Sequence, residues 1–148
     1  MPKIDIDAVE PLTGSDYPAP YNLDVAGRHV RRLSPAAGLT DLEVNHVVLP
    51  PGAWSSQRHW HEGEDEVVVV IAGSAMLRDE DGETPIAAGD CIAFPMNDGN
   101  GHHLVAGPEG CTLVAMGRPE HSPVHYPDVD MRWDFATDAY MHRDGTPY

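Results

Sequence analysis

Between Val30 and Gly117 the chain is cut into short apolar segments by glycine, proline or Asp-Gly, and this punctuation limits the fold more than any other feature. The segments read RHVRRL, LEVNHVVL, AWSSQRHWH, EVVVVIAG, SAMLRD, ETPIAAG, CIAFP, HHLVAG and CTLVAMG. Short runs rich in valine and isoleucine, closed by turn residues, are strands of a sandwich or barrel. No ten-residue stretch of this region carries the apolar period of a helix. Asp81-Gly82 marks a two-residue hairpin turn, because such turns need positive φ at their central positions. An all-β, antiparallel domain over residues 26–118 is the expectation.

Both flanks differ. Residues 1–25 hold several prolines and no periodicity, which reads as an extended N-terminal arm lying on the surface or on a partner subunit. Residues 119–148 set Tyr126, Trp133, Phe135 and Tyr140 among acids and prolines. Within them WDFATDAYMH could make one helical turn. Large rings stabilise by a few kcal/mol each when buried, so this C-terminal tail is expected to pack on the barrel or across a dimer. The added apolar surface makes a homodimer the expected assembly.

Charge removes whole classes of partner. Nine basic against 24 acidic residues give a net charge of −15, and such a surface repels phosphate backbones and anionic lipid. Nucleic acid and membrane are therefore not the expected partners. Two cysteines, Cys91 and Cys111, are too few for a disulfide framework and read as buried free thiols. MPKIDIDAVEPL lacks the apolar core of a signal peptide, and Val67–Ala72 is too short to cross a bilayer, so the cytoplasm is the expected compartment.

The chemistry concentrates in RHWHEGEDE, residues 58–66. In a strand, residues i and i+2 share a face, so His59 and His61 project together while Arg58 and Trp60 face away. The EGED interruption lets the chain turn, and Glu66 opens the next strand on the face of Val68 and Val70. Two hairpin-paired strands would then aim two imidazoles and a carboxylate at one volume, a donor set suited to a divalent first-row metal. A second stretch, GDCIAFPMNDGNGHHLVAG, delivers His102 and His103; adjacent strand residues face opposite sides, so one of them points inward. Glu62, Glu64 and Asp65 read as exposed turn residues. His46 has the parity to line a barrel, although a structural or surface histidine is the plainer reading. His121, His125 and His142 read as a solvated tail, and Trp54 and Trp60 as packing. Met76, Met96 and Met116 read as core filler or pocket wall. Arg58 and Arg78 could hold an anionic substrate, with surface ion pairs as the plainer role.

These two stretches resemble the two motifs of the cupin superfamily. Gly52, six residues, His59-Trp60-His61, four residues, Glu66, six residues and Gly73 follow the first motif; Gly89, five residues, Pro95, then Gly99, two residues and His102 follow the second. One extra residue lies before His59, two lie between Pro95 and Gly99, and Ala106 stands where the family has asparagine. GHHLV and the ending HRDGTPY also look like a group of small bacterial single-domain cupins, sometimes described as resembling sugar-phosphate isomerases. The resemblance implies a double-stranded β-helix (a jelly-roll barrel) with His59, His61, Glu66 and His102 as metal ligands, His102 being favoured over His103. The ion would be Fe, Mn, Ni, Co, Cu or Zn. It implies a metal-dependent oxygenase, lyase or isomerase acting on a small polar metabolite, or alternatively a non-catalytic module binding a sugar-like molecule. No separate general base is identifiable. An enzyme should place another ionisable group (His46, Arg58, Arg78 or a tail residue) near the metal's open face.

Overall fold

The computed structural model describes residues 3–119 and 122–148; His121 lies outside them. After a 3₁₀ turn at Ile6–Ala8 come β1 (Leu12–Thr13), β2 (His29–Arg32), α1 (Leu33–Ala37), β3 (Glu43–Leu49), β4 (Trp60–His61) and β5 (Glu66–Asp79). There follow β6 (Gly82–Ala87), β7 (Cys91–Phe94), β8 (His103–Gly117), β9 (Val124–Tyr126), β10 (Met131–Asp134) and β11 (Ala139–Met141). One sheet runs β1-β2-β3-β8-β5-β6 with β7 on β5, and a second runs β11-β10-β9-β4. The pairings between named strands are antiparallel.

Four of the expected strands fuse into two. EVVVVIAG and SAMLRD form the single 14-residue β5, and HLVAG and CTLVAMG lie within the 15-residue β8, which begins at His103. The pair bends instead of ending, through register shifts at Val70/Ala72 and Gly73/Ala75. Gly73 sits at the bend with φ 73°. A Cβ there would overlap the carbonyl oxygen of Gly110, so only glycine lets the strands approach this closely.

The β5–β6 hairpin is offset by one residue from expectation. Asp79 pairs with Gly82, so Glu80 and Asp81 make the turn and Gly82 opens β6, absorbing the unusual φ of 120° itself. The five-residue α1 is too short to show a period; it closes on Gly38 at φ 69°, with Leu33 and Ser34 buried. Cys111 is buried but Cys91 is exposed, because β7 alternates Cys91 and Ala93 outward against Ile92 and Phe94. Met96, 54% exposed, is neither core nor wall.

Two apolar clusters form. Val47, Leu49, Val68, Val70, Leu77, Leu104 and Leu113 fill the interior of the large sheet. Tyr17, Val25, Val124, Tyr126 and Met131 form the other, joining arm to tail. Val25 and Met131 are 0% and 1% exposed, and Tyr17 meets Tyr126 and Tyr140 edge-on with centroids 5.5 and 5.4 Å apart. WDFATDAYMH is a β-hairpin rather than a helical turn: Asp134 Oδ1 accepts the Ala136 N–H at 2.9 Å, and Asp138 takes φ 52°.

Candidate metal centre

His59 and His61 share a face, with ring centroids 4.9 Å apart, while Trp60 stacks outward on His125 at 4.3 Å. Their strand does not pair with the strand of Glu66, however. The His59 N–H donates to His102 O at 3.1 Å and the His102 N–H to His59 O at 2.9 Å, and β4 pairs with β9 of the tail. Glu66 instead pairs with Phe94 of β7 and Gly117 of β8. The turn at EGED carries the chain away from a hairpin, so the imidazoles and the carboxylate converge from different sheets.

One donor atom from each of His59, His61 and Glu66 lies within 4.8 Å of the others. Two donors each about 2.1 Å from an ion stand no more than about 4.2 Å apart, so the group closes on a cation with shifts below an ångström. Nδ1 of His59 donates to Gln57 O at 3.0 Å, which leaves Nε2 with the lone pair that a metal needs. His102 joins through Glu66, its Nε2 lying 3.0 Å from Oε2, and its ring stacks on Phe94 with centroids 3.5 Å apart. His103 turns to the other side of the strand, where Nδ1 donates to Ser56 O at 3.1 Å and the ring meets Trp54 edge-on. Nitrogen and carboxylate donors in this arrangement fit a divalent first-row ion.

Electrostatics keep the donors in the protonation states that coordination requires. Crowding by protein, reinforced by His102 and His61, pushes the His59 pKa well below 6.5. Burial alone would raise the Glu66 pKa, but the His102 hydrogen bond and the neighbouring imidazoles outweigh it and bring it to about 2. The imidazole is thus neutral and the carboxylate ionised at neutral pH.

The cluster opens into a cavity of about 300 Å³ whose wall includes Val47, Val68, Phe94, Leu113, Glu43 and Asn45. An outer vestibule of about 820 Å³ is lined by Tyr126, Trp133, Phe135 and Tyr140 of the tail. Arg28, Glu43, His59 and His61 border both spaces and so form the neck between them.

Several residues near the site differ from expectation. Glu64 is not an exposed turn residue: its side chain is 11% exposed and its carboxylate lies 3.2 Å from His61 Nδ1. It rests over Gly117, where a Cβ would overlap Oε1. His46 does not line the cavity, since Glu43, Asn45 and Val47 of β3 do so with the opposite parity. That alternation, legible in LEVNHVVL, was the signal for Glu43. Arg58 and Arg78 are held in ion pairs away from the cluster, Arg58 by both Asp128 oxygens at 2.7 Å and Arg78 by Glu83 at 2.7 Å. His125 bonds Glu62 and His142 bonds Asp130.

Comparison with known proteins completes the description. The cupin domain family matches residues 45–117. A crystal structure of a sugar phosphate isomerase from the cupin superfamily, from Silicibacter pomeroyi, is 40% identical with a TM-score of 0.92, the match covering 99% of this chain and 96% of that one. A protein of Acidithiobacillus ferrooxidans, provisionally a sugar phosphate isomerase, is 26% identical with a TM-score of 0.75 over 88% and 83% of the two chains. The polyketide cyclase RemF of Streptomyces resistomycificus, 20% identical with a TM-score of 0.68 over 87% of each chain, shares the fold alone. No curated protein matches the chain. Among the described residues, no helix is long and apolar enough to cross a membrane. The two antiparallel sheets, the motif spacing and the likeness over 99% of the chain agree: this chain is a member of the cupin superfamily, with its all-β double-stranded β-helix fold.

Proposed function

We propose that the protein is a metal-dependent enzyme acting on a small polar metabolite, of the isomerase, lyase or oxygenase type, with His59, His61, Glu66 and His102 holding a divalent first-row ion. The observation that carries this reading is the neck. Lining the same neck as the imidazoles are two further ionisable groups, Arg28 and Glu43, which a purely structural site would not need. The likeness to the Silicibacter pomeroyi isomerase supports the isomerase member of the set.

When bound, the metal supplies a Lewis acid that polarises a substrate carbonyl or hydroxyl. Glu43 is the proton carrier in this reading. Its Oε1 accepts from Asn45 Nδ2 at 3.1 Å, which fixes the carboxylate at the cavity edge. Val47, Val68 and Leu113 form the dry wall that keeps bulk water from the reacting atoms. That apolar wall is also what a non-catalytic, sugar-binding module would share, and turnover separates the two readings.

Elemental analysis of the purified protein is the direct test, followed by aerobic and anaerobic incubation with a metabolite panel. The retained ion should stabilise the fold by about 2.7 kcal/mol at a hundred times its Kd, and Glu43→Gln should keep the metal while losing turnover. A protein that neither retains nor is stabilised by any first-row ion would overturn the proposal.

A further inference from the structure

Resting on the reading above, we infer that the substrate carries an anionic group, a carboxylate or a phosphate, and that Arg28 receives it. Arg28 is half-buried at the neck, bordering both the inner cavity and the vestibule beside His59 and His61. Its Nε donates to Gly14 O at 2.8 Å, Nη1 donates to Ser55 O, and the guanidinium lies 5.8 Å from the centroid of the Tyr17 ring. Two backbone carbonyls and an aromatic face thus hold the group rigid, while Nη2 is claimed by no described residue.

Arg28 lacks a carboxylate partner among the described residues and, unlike the other backbone-held arginines, lines both spaces beside the histidine cluster. The chain has 24 acidic residues and a net charge of −15, and Arg32, Arg58, Arg78 and Arg132 pair with carboxylates, whereas Arg28, like Arg31 and Arg143, is held by backbone carbonyls. Among the described residues no carboxylate lies within ion-pair distance of Arg28. Asp16 and Glu43 line the vestibule with it, yet Glu43 is drawn to Asn45 and Arg32. A preorganised guanidinium with free N–H groups, facing a cavity, is complementary to the planar or tetrahedral oxygens of a carboxylate or phosphate. A ligand anchored there by its anion would project its oxygenated carbons through the neck toward His59, His61 and Glu66. A purely structural clip would need only Nε and Nη1.

Isothermal titration with two matched pairs tests this, ribose 5-phosphate against ribose and lactate against lactamide, on metal-loaded and metal-free protein. The charged member of at least one pair should bind the wild type at least about tenfold more tightly, since hydrogen bonds to charged groups contribute on that scale. The responding pair identifies phosphate or carboxylate. Arg28→Met should erase the preference with metal affinity unchanged, and Arg28→Lys, which keeps the charge but loses the fork and disturbs the fold less, should retain part of it. Equal binding within both pairs, or a preference that survives Arg28→Met, overturns the inference. Failure to bind any metal would instead strike the reading on which it rests, and the metal-free titrations would still report on Arg28.

Discussion

An alanine at position 117 would place its Cβ on top of Glu64 Oε1 and 3.1 Å from the Asp65 carbonyl oxygen. The backbone itself accepts alanine, because Gly117 is extended in β8 and has no positive φ. Relief therefore falls on the carboxylate, which is the free end of a flexible side chain. Glu64 must leave His61 Nδ1, from which it is now 3.2 Å away. The lost contact is an ion-pair approach without hydrogen-bond alignment, worth up to about 1 kcal/mol, and removing the partner of a metal-ligating histidine lowers metal affinity about 10- to 100-fold. Folding stability should move by less than about 1 kcal/mol, since the lost contact is partly offset by the smaller backbone entropy cost of alanine at the end of β8. Competition titration of Zn²⁺ against a chelating dye, on wild type, Gly117→Ala, Glu64→Gln and the double variant, measures the effect. Both single variants should weaken binding, and the double should be no worse than the weaker single, because both changes break one contact. Additive losses, or a Gly117→Ala protein that binds as the wild type does, would refute the placement of Glu64 as the support of His61.

Two other outcomes are expected. The metal-free protein should lose stability as pH falls below about 6.5, because burial lowers the folded-state pKa of both His59 and His103 and the unfolded chain then binds more protons. Glu66 adds its own loss only lower, from 4.5 toward about 2. Urea midpoints measured from pH 8 to pH 5 that stay flat would contradict this. Met131→Ala should cost about 2–5 kcal/mol, because Met131 is 1% exposed in the cluster joining arm to tail; a loss under 1 kcal/mol by chemical denaturation would show that the cluster adds little.

How much of this was legible in the sequence depends on the range of the interaction. The i, i+2 parity of His59 and His61 is local, so the shared face of the two imidazoles could be read directly. Glu64 could not, because its inward position depends on the absence of a side chain at Gly117, far along the chain, and a run of acids otherwise looks solvated. The pairing of β4 with β9 was hidden for the same reason. Nothing in WHEGEDE distinguishes a hairpin to EVVVV from a partner among residues 124–126. Arg28 carries no local signal at all, since what matters is which carboxylates fail to reach it. The fused β5 and β8 were misread because a glycine between two strands and a glycine inside a bent one look alike.

The partnership of β4 with β9 has a consequence for synthesis. A nascent chain can complete the β3, β5 and β8 ladders, and pair His59 with His102, once Gly117 has cleared the ribosome, but β4, which carries His61, still lacks its sheet neighbour until Val124–Tyr126 emerge. Seating of His61 beside His59 therefore follows the ladder, and a transcript truncated shortly after codon 117 would yield a ladder with an incomplete site.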